Sequence, residues 1–340
     1  MNRLFRGLLR FGLLLALVGG VLGVNAQSDD ELDSVTVITI PRLSFMPLYF
    51  AEAEGYFTEQ GIAPEFIQVD STATALPVLL TGEVDVFAGT ITVGMFNAIA
   101  RDGGIRIVAD KGQWGADSCT YTALLTRPEV LEYDPINDAG QLRLLRFGAR
   151  PANYNGYLLD RIFAAAGVTV DDLAVEDMSS SVRAEAIING AVDAIQVSEP
   201  WITRILQESD ELVVWAAAED YVPELQFGFV MYGSAFLEDD PELGERFMAA
   251  YLQGARQYNE GATERNLDIM EDVMELDRDL LAAMCFPDIA ADGAINVDAI
   301  IDFQQWALDR DLLDRIVTAD EFWEVRFADA AVAILDETES

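Results

Sequence analysis

The alternation of strands and helices narrows the fold of this chain further than any other feature. Residues 34–40 form a β-branched run suited to a buried strand. Ser44 precedes a helical pattern over 46–54, and Gly55 stands where a left-handed residue ends a helix. Residues 65–69 read as a second strand that runs into Asp70, Ser71 and Thr72; a helix then reaches Leu80, with Gly82 after it. A third strand over 84–88 ends at Gly89 and Thr90, where another helix begins, and 105–109 is a fourth. Strands separated by helices on short loops predict a parallel sheet covered on both faces.

The pattern then starts again. Residues 142–149 read as a strand, 154–166 as a helix ended by Gly167, 173–176 as a strand, and 179–188 as a helix followed by Gly190. A strand over 192–197 leads to Glu199-Pro200, where proline suits the first turn of a helix. The halves match at an offset of 108 positions, which sets Leu80-Thr-Gly-Glu-Val-Asp85 on Ile188-Asn-Gly-Ala-Val-Asp193. The same offset pairs Arg42 with Arg150, Ser71 with Ser179 and Thr90 with Ser198, each beyond a strand and near a helix start. After Ala218 the chain changes: 226–233 is a strand, Asp239-Asp240-Pro241 caps a long helix to about Glu260, and the rest is mostly helical. The expected fold is α/β, with two lobes that are each a mostly parallel sheet flanked by helices. The helical tail should pack on one lobe rather than form a third domain.

Composition removes several chemistries. Among 340 residues there is no histidine, so the commonest general base, the Ser-His and Cys-His pairs and most zinc or non-haem iron sites are excluded. Carboxylate-only catalysis stays open. No P-loop, dinucleotide fingerprint, CxxC pair or GxSxG elbow occurs, and neither a cofactor nor a metal is expected. The chain carries 21 cationic residues against 59 carboxylates, and Lys111 is its single lysine. Such a surface repels nucleic acid and anionic membranes, so both drop out as partners. Arg3, Arg6 and Arg10 precede an apolar run over 11–24, and Val24-Asn25-Ala26 offers a cleavage site. Residues 1–26 are therefore read as a signal peptide, with an uncleaved anchor as the alternative, since a membrane span needs roughly 20 apolar residues. No cysteine adjoins that site to carry a lipid, so an exported protein, periplasmic or on the extracellular face of the cytoplasmic membrane, is expected. Cys119 and Cys285, the only cysteines, are either one disulfide or two buried thiols.

In open parallel sheets, ligands sit beyond the carboxyl ends of strands, where helix N-termini converge. The candidate ligand-binding residues are accordingly Arg42, Ser44, Phe45, Ser71, Thr72, Thr90, Trp114, Asp117, Asn153, Tyr154, Asn155, Ser198, Glu199 and Trp201. Trp114 lies among Gly112, Gly115 and Asp117, a loop context that makes it the leading aromatic candidate. Glu199 is the leading acid, able to accept hydrogen bonds from an amine or ring N–H.

The segment Met46-Pro-Leu-Tyr-Phe-Ala-Glu-Ala-Glu-Gly-Tyr-Phe57, followed by Gly61-Ile62, resembles the opening of one family of ABC-transporter substrate-binding proteins. That family serves nitrate, sulfonates, taurine, thiamine pyrimidine precursors and riboflavin. Gly82-Glu-Val-Asp85, Gly190-Ala-Val-Asp193 and Ser198-Glu-Pro-Trp201 fit it too, and the likeness weakens after about residue 260. The resemblance implies a type II periplasmic-binding fold, with 34–124 plus 226–340 as lobe one and 125–225 as lobe two. It further implies a monomer that closes on a small molecule and delivers it to a membrane permease with a cytoplasmic ATPase. By the motif, Glu199 takes the role of the acid that holds a pyrimidine in relatives. The histidine that the fungal pyrimidine synthases of this fold require is missing, which argues against that activity and for a non-enzyme. Glu199 and the aromatics favour a heterocyclic vitamin or precursor; Arg42 and Arg150 instead suit a sulfonate, taurine or nitrate. A ligand-sensing partner of a membrane receptor, or a secreted enzyme using Asp117 with Glu199, remains as an alternative of another class.

Overall fold

The computed structural model describes residues 32–338 apart from Pro41, Asp70, Ser71, Asp102, Ala116 and Asp117. The expected signal peptide lies outside the described residues. Among the described residues ten strands build two sheets. Strands β1 (Asp33–Thr39), β2 (Ile62–Gln68), β3 (Val86–Thr90) and β4 (Arg106–Trp114) lie in the first. Strands β5 (Thr122–Thr126), β6 (Arg146–Ala149), β7 (Ala174–Asp177), β8 (Ala194–Ser198) and β9 (Val213–Ala217) make the second. Strand β10 (Leu225–Tyr232) returns to the first. The orders are β2-β1-β3-β10-β4 and β7-β6-β8-β5-β9. Only β10 and β5 run antiparallel to their neighbours, so both sheets share one topology.

Helices of eight residues or more are α1 (Met46–Ala53), α2 (Thr72–Leu80), α3 (Val93–Ala100), α4 (Tyr154–Ile162), α5 (Ser180–Ile188) and α6 (Trp201–Glu208). The tail adds α7 (Pro241–Tyr258), α8 (Glu264–Met274), α9 (Val297–Leu308) and α10 (Arg326–Thr338). The duplication is visible residue by residue. Helices α2 and α5, and strands β3 and β8, stand 108 positions apart at both ends. Gly82 and Gly190 follow the paired helices with the same φ of 72°, a conformation that disfavours any side chain. The next aspartates then repeat one device. Asp85 accepts the Thr36 N–H at 2.8 Å and Asp193 accepts the Arg146 N–H at 2.8 Å, tying each helix-to-strand turn to the adjacent strand.

Four expectations change. Residues 139–142 are a helical turn, because Asp138 accepts the N–H groups of Gly140 and Gln141; only 146–149 remain as strand. Strand β4 runs five residues past Ala109 to Trp114, since β10 pairs with it along that whole length. The offset of 108 fails for the first strand of each lobe. Val37 opposes Val86 where Phe147 opposes Ala194, so the ladder sets Arg150 on Ile40 rather than on Arg42. The chain crosses between sheets at 115–121 and again at 218–224. The expected boundary at 124 falls inside β5, all of whose residues pair with β8, so we place the first crossing before Thr122.

The tail packs chiefly on lobe one. Helix α7 lies against α1 so closely that a Cβ on Gly254 would sit 2.0 Å from the Pro47 carbonyl oxygen. Helix α9 also reaches lobe two. There Tyr157 donates to Asp302 at 2.5 Å and the Trp306 indole donates to Asp160 at 2.7 Å. Arg310 pairs with the same Asp160 at 3.1 Å. A further joint is a bond between Cys119 in the first crossing and Cys285 in the tail, whose Cα atoms lie 5.6 Å apart.

Candidate functional site

A cleft of about 730 Å³ opens where the strand ends of both lobes face each other. Thr90 and Ser198, the last residues of β3 and β8, line it together. Ser198 Oγ shares hydrogen bonds with Thr122 Oγ1 at 2.7 Å and the Tyr154 hydroxyl at 3.1 Å. Helix N-termini meet here because polar caps start them. Thr92 accepts the Met95 N–H on α3, and Asn153 accepts the Asn155 N–H on α4. Thr92 and Asn153 also form a backbone bridge that joins the lobes.

Of the residues expected from sequence, Arg42, Thr90, Asn153, Tyr154, Asn155, Ser198, Glu199 and Trp201 line the cleft. Ser71 and Asp117 lie outside the described residues, as does the Thr72 side chain. The other three sit elsewhere. Trp114 is 2 % exposed; its indole donates to the Val222 carbonyl at 2.6 Å and packs on Phe227, because the lengthened β4 carries it into the core. Ser44 and Phe45 form a buried seat for Lys111, whose ammonium donates to Ser44 Oγ at 2.9 Å and stands 3.8 Å from the Phe45 ring centre. Burial pushes the Lys111 pKa well down, and Arg42 acts in the same sense.

Glu199 is engaged by the protein itself. It accepts the Thr203 hydroxyl at 2.7 Å, the Thr203 N–H at 3.1 Å and the Cys285 N–H at 3.4 Å. Burial raises its pKa while these hydrogen bonds oppose the rise. It therefore fixes the start of α6 and joins it to the tail.

The sequence reading missed Arg101, Arg183, Ser180, Asp177 and the apolar wall of Leu76, Pro77 and Leu80, all of which line the cleft. Arg183 carried one signal: it stands beside Ala184 and four positions before Ile187, on the face of α5 that is otherwise apolar and buried. The arginines follow a pattern that only the structure reveals. Arg42, Arg101 and Arg150 make no salt bridge or side-chain hydrogen bond among the described residues, and all three line this cleft. Other described arginines have such partners, for example Arg146 with Asp193, Arg161 with Asp302 and Arg278 with Glu264. Among the described residues no group of histidine, cysteine or acidic side chains is arranged to hold a metal.

Residues 42–260 match a family model described as NMT1/THI5 like. No curated protein matches the chain in sequence. Solved structures match over nearly all of their own length. A ligand-binding component of an ABC-type import system from Staphylococcus aureus, solved with zinc, is 15% identical at a TM-score of 0.69, covering 88% of this chain and 99% of that one. The alkanesulfonate-binding protein SsuA from Xanthomonas axonopodis pv. citri, bound to MOPS, is 15% identical at a TM-score of 0.68, covering 86% and 99%. The nitrate-binding protein NrtA from Synechocystis PCC 6803 is 12% identical at a TM-score of 0.72, covering 90% of each chain. At these identities the likeness establishes the two-lobed periplasmic-binding fold.

Proposed function

The chain belongs to the NMT1/THI5-like family, and from that membership and its cleft we propose that it captures a small organic anion outside the cytoplasm for an ABC importer. One observation carries the reading. On a chain with 59 carboxylates, the arginines that lack a partner among the described residues converge on a single interlobe cleft. Unpaired guanidiniums suit a carboxylate, sulfonate or phosphate, which each can engage through paired N–H groups. Leu76, Pro77 and Leu80 give the same cleft an apolar wall for the rest of the molecule.

Arg42 lies on lobe one and Arg150 on lobe two, so a ligand held in the cleft touches both lobes. Contact with both lobes favours their approach, and the two crossings are where the chain bends. The relative that binds an alkanesulfonate supports this ligand class, and the component of an ABC-type import system supports delivery to a permease. We propose binding without turnover, since Glu199 is occupied by Thr203 and Cys285 and no histidine is available as a base.

A second reading, a heterocyclic vitamin or precursor, is favoured by the Trp201 and Tyr154 rings and by the Asn155 amide at the cleft. A thermal-shift screen with alkanesulfonates, taurine, nitrate, thiamine pyrimidine precursors and riboflavin separates the two. A ligand at a hundred times its Kd stabilises by about 2.7 kcal/mol, a readily measured rise in melting temperature. The largest rise is expected from an anion with an alkyl portion; a response confined to uncharged heterocycles would sink the anion reading.

A further inference from the structure

Arg183 combines properties that a structural arginine rarely has. It is 4% exposed, yet it lines the cleft. Nη1 donates to the Gln196 carbonyl and Nη2 to Ser180 Oγ at 3.0 Å, while Nε has no partner and no carboxylate pairs with the group among the described residues. Burial lowers its pKa to about 10, with Arg42 and Arg150 acting in the same direction and Tyr154 and Asp177 opposing them, which leaves it charged at neutral pH. A buried cation without a counter-charge costs several kcal/mol unless something else supplies the charge.

The internal duplication provides the control. The counterpart of Arg183 on α2 is Ala75, at the same helix position, and the ladders make Ile38 the counterpart of Gly148. Ala75 and Ile38 share one apolar core cluster in lobe one. In lobe two a Cβ on Gly148 would stand 3.0 Å from Arg183 Cγ and 3.2 Å from Ile195 Cγ2, so the missing side chain gives the arginine stem its room. Lobe two thus replaces an Ile/Ala pair by a Gly/Arg pair, which brings a guanidinium to the floor of the cleft. The same helix presents Ser180 to the cleft, and Ser179 makes no side-chain cap there. Helix α2 presents Leu76, Pro77 and Leu80 instead.

We infer that Arg183 holds the charged end of the ligand, with Arg150 and Ser180 beside it, and that the ligand lies with its anionic group toward lobe two and its apolar part on α2. The inference rests on the anion reading and adds to it a residue and an orientation. Lobe one holds the tail; lobe two reads the charge.

Calorimetric titration of the full chain with hexane-1-sulfonate, hexanoate and hexyl phosphate tests it, alongside the unfolding temperature without ligand. Arg183→Met keeps the apolar stem and removes the fork. Affinity for the best of the three probes should fall roughly 30- to 1,000-fold, as when one member of a buried charged contact is removed. The unfolding temperature should hold or rise, because an uncompensated buried cation has gone. A purely structural role predicts the opposite pair of results, a lower unfolding temperature with unchanged affinity, and would overturn the inference. If Arg183→Met does not fold, Arg183→Lys and Gly148→Ala read the same point, the latter by crowding the Arg183 stem. A loss of at least tenfold in either supports the assignment, and unchanged affinity in both defeats it. Where the wild type binds one of these anions and the variants bind it equally, only the Arg183 inference fails. Where the wild type binds no anion but is stabilised by a neutral heterocycle, the anion reading fails and the orientation falls with it.

Discussion

Replacing Cys119 and Cys285 together by serine should destabilise the protein mainly through its unfolded state. The bond closes a segment of 166 residues, from the first interlobe crossing to the tail. For a loop of that length, chain-entropy loss amounts to about 5 kcal/mol at 25 °C, with 2–5 kcal/mol the usual range for a native bond. The folded joint does not depend on the sulfurs alone. Ser118 donates to Asp288 at 2.7 Å, and the Gln113 N–H donates to the Asp288 carbonyl at 2.9 Å, so the crossing should keep its place once the bond is gone. Urea unfolding followed by tryptophan fluorescence, on oxidised protein, reduced protein and the double variant, measures the effect. Both bond-free forms should lose about 3–5 kcal/mol and show a larger m-value, because the unlinked chain exposes more surface when unfolded. Their melting temperature should drop by roughly 5–10 °C, taking about 2 °C per kcal/mol for a chain of this size. A loss below about 1 kcal/mol with an unchanged m-value would refute the loop-entropy argument.

Three further outcomes follow from buried groups. Asp110 is fully buried and its pKa is pushed up to about 6 by that burial, so between the unfolded value of 3.8 and 6 the folded state holds a proton that the unfolded state has lost. Its contribution is complete below 3.8 and is lost as pH rises through 6; this part, about 3 kcal/mol, should vanish from the pH–stability curve of Asp110→Asn measured by denaturant titration. Gly254→Ala places a methyl group 2.0 Å from the Pro47 carbonyl oxygen and should cost about 3 kcal/mol or more, seen as a lowered urea midpoint with α1 and α7 pushed apart. Asp160→Ala strips partners from Trp306 and Arg310, whose side chain is 14% exposed, and should cost about 2–3 kcal/mol. Because these contacts join α9 to the lobe that carries Tyr154 and Asn155, calorimetry on this variant should also show weaker anion binding.

Local chemistry made much of the fold legible. Short β-branched apolar runs, polar N-caps and glycines at left-handed positions are properties of neighbouring residues, and they gave the βα units and the halves at an offset of 108. That offset holds in the structure for α2 with α5 and β3 with β8, where nothing has been inserted between helix and strand. It fails for Arg42 with Arg150 because inter-strand hydrogen bonds, not sequence distance, set the register of β1 and β6.

The site divides in the same way. Strand ends and helix starts are local, so Thr90, Asn153, Tyr154 and Ser198 could be named from the chain. Trp114 could not be placed correctly, since its burial depends on β10, more than a hundred positions away, pairing with the end of β4. Whether an arginine is paired is a fact about distant carboxylates. Arg161 finds Asp302 and Arg310 finds Asp160, while Arg42, Arg101 and Arg150 find none among the described residues. The meaning of Arg183 depends further on an absence elsewhere, the side chain that Gly148 lacks on a different strand. Sequence alone thus determined the repeating βα units and the ends from which a cleft is built, because those follow from near neighbours. Tertiary structure decided which charges in that cleft are left for a guest, because a charge is free only when no other part of the folded chain comes close enough to satisfy it.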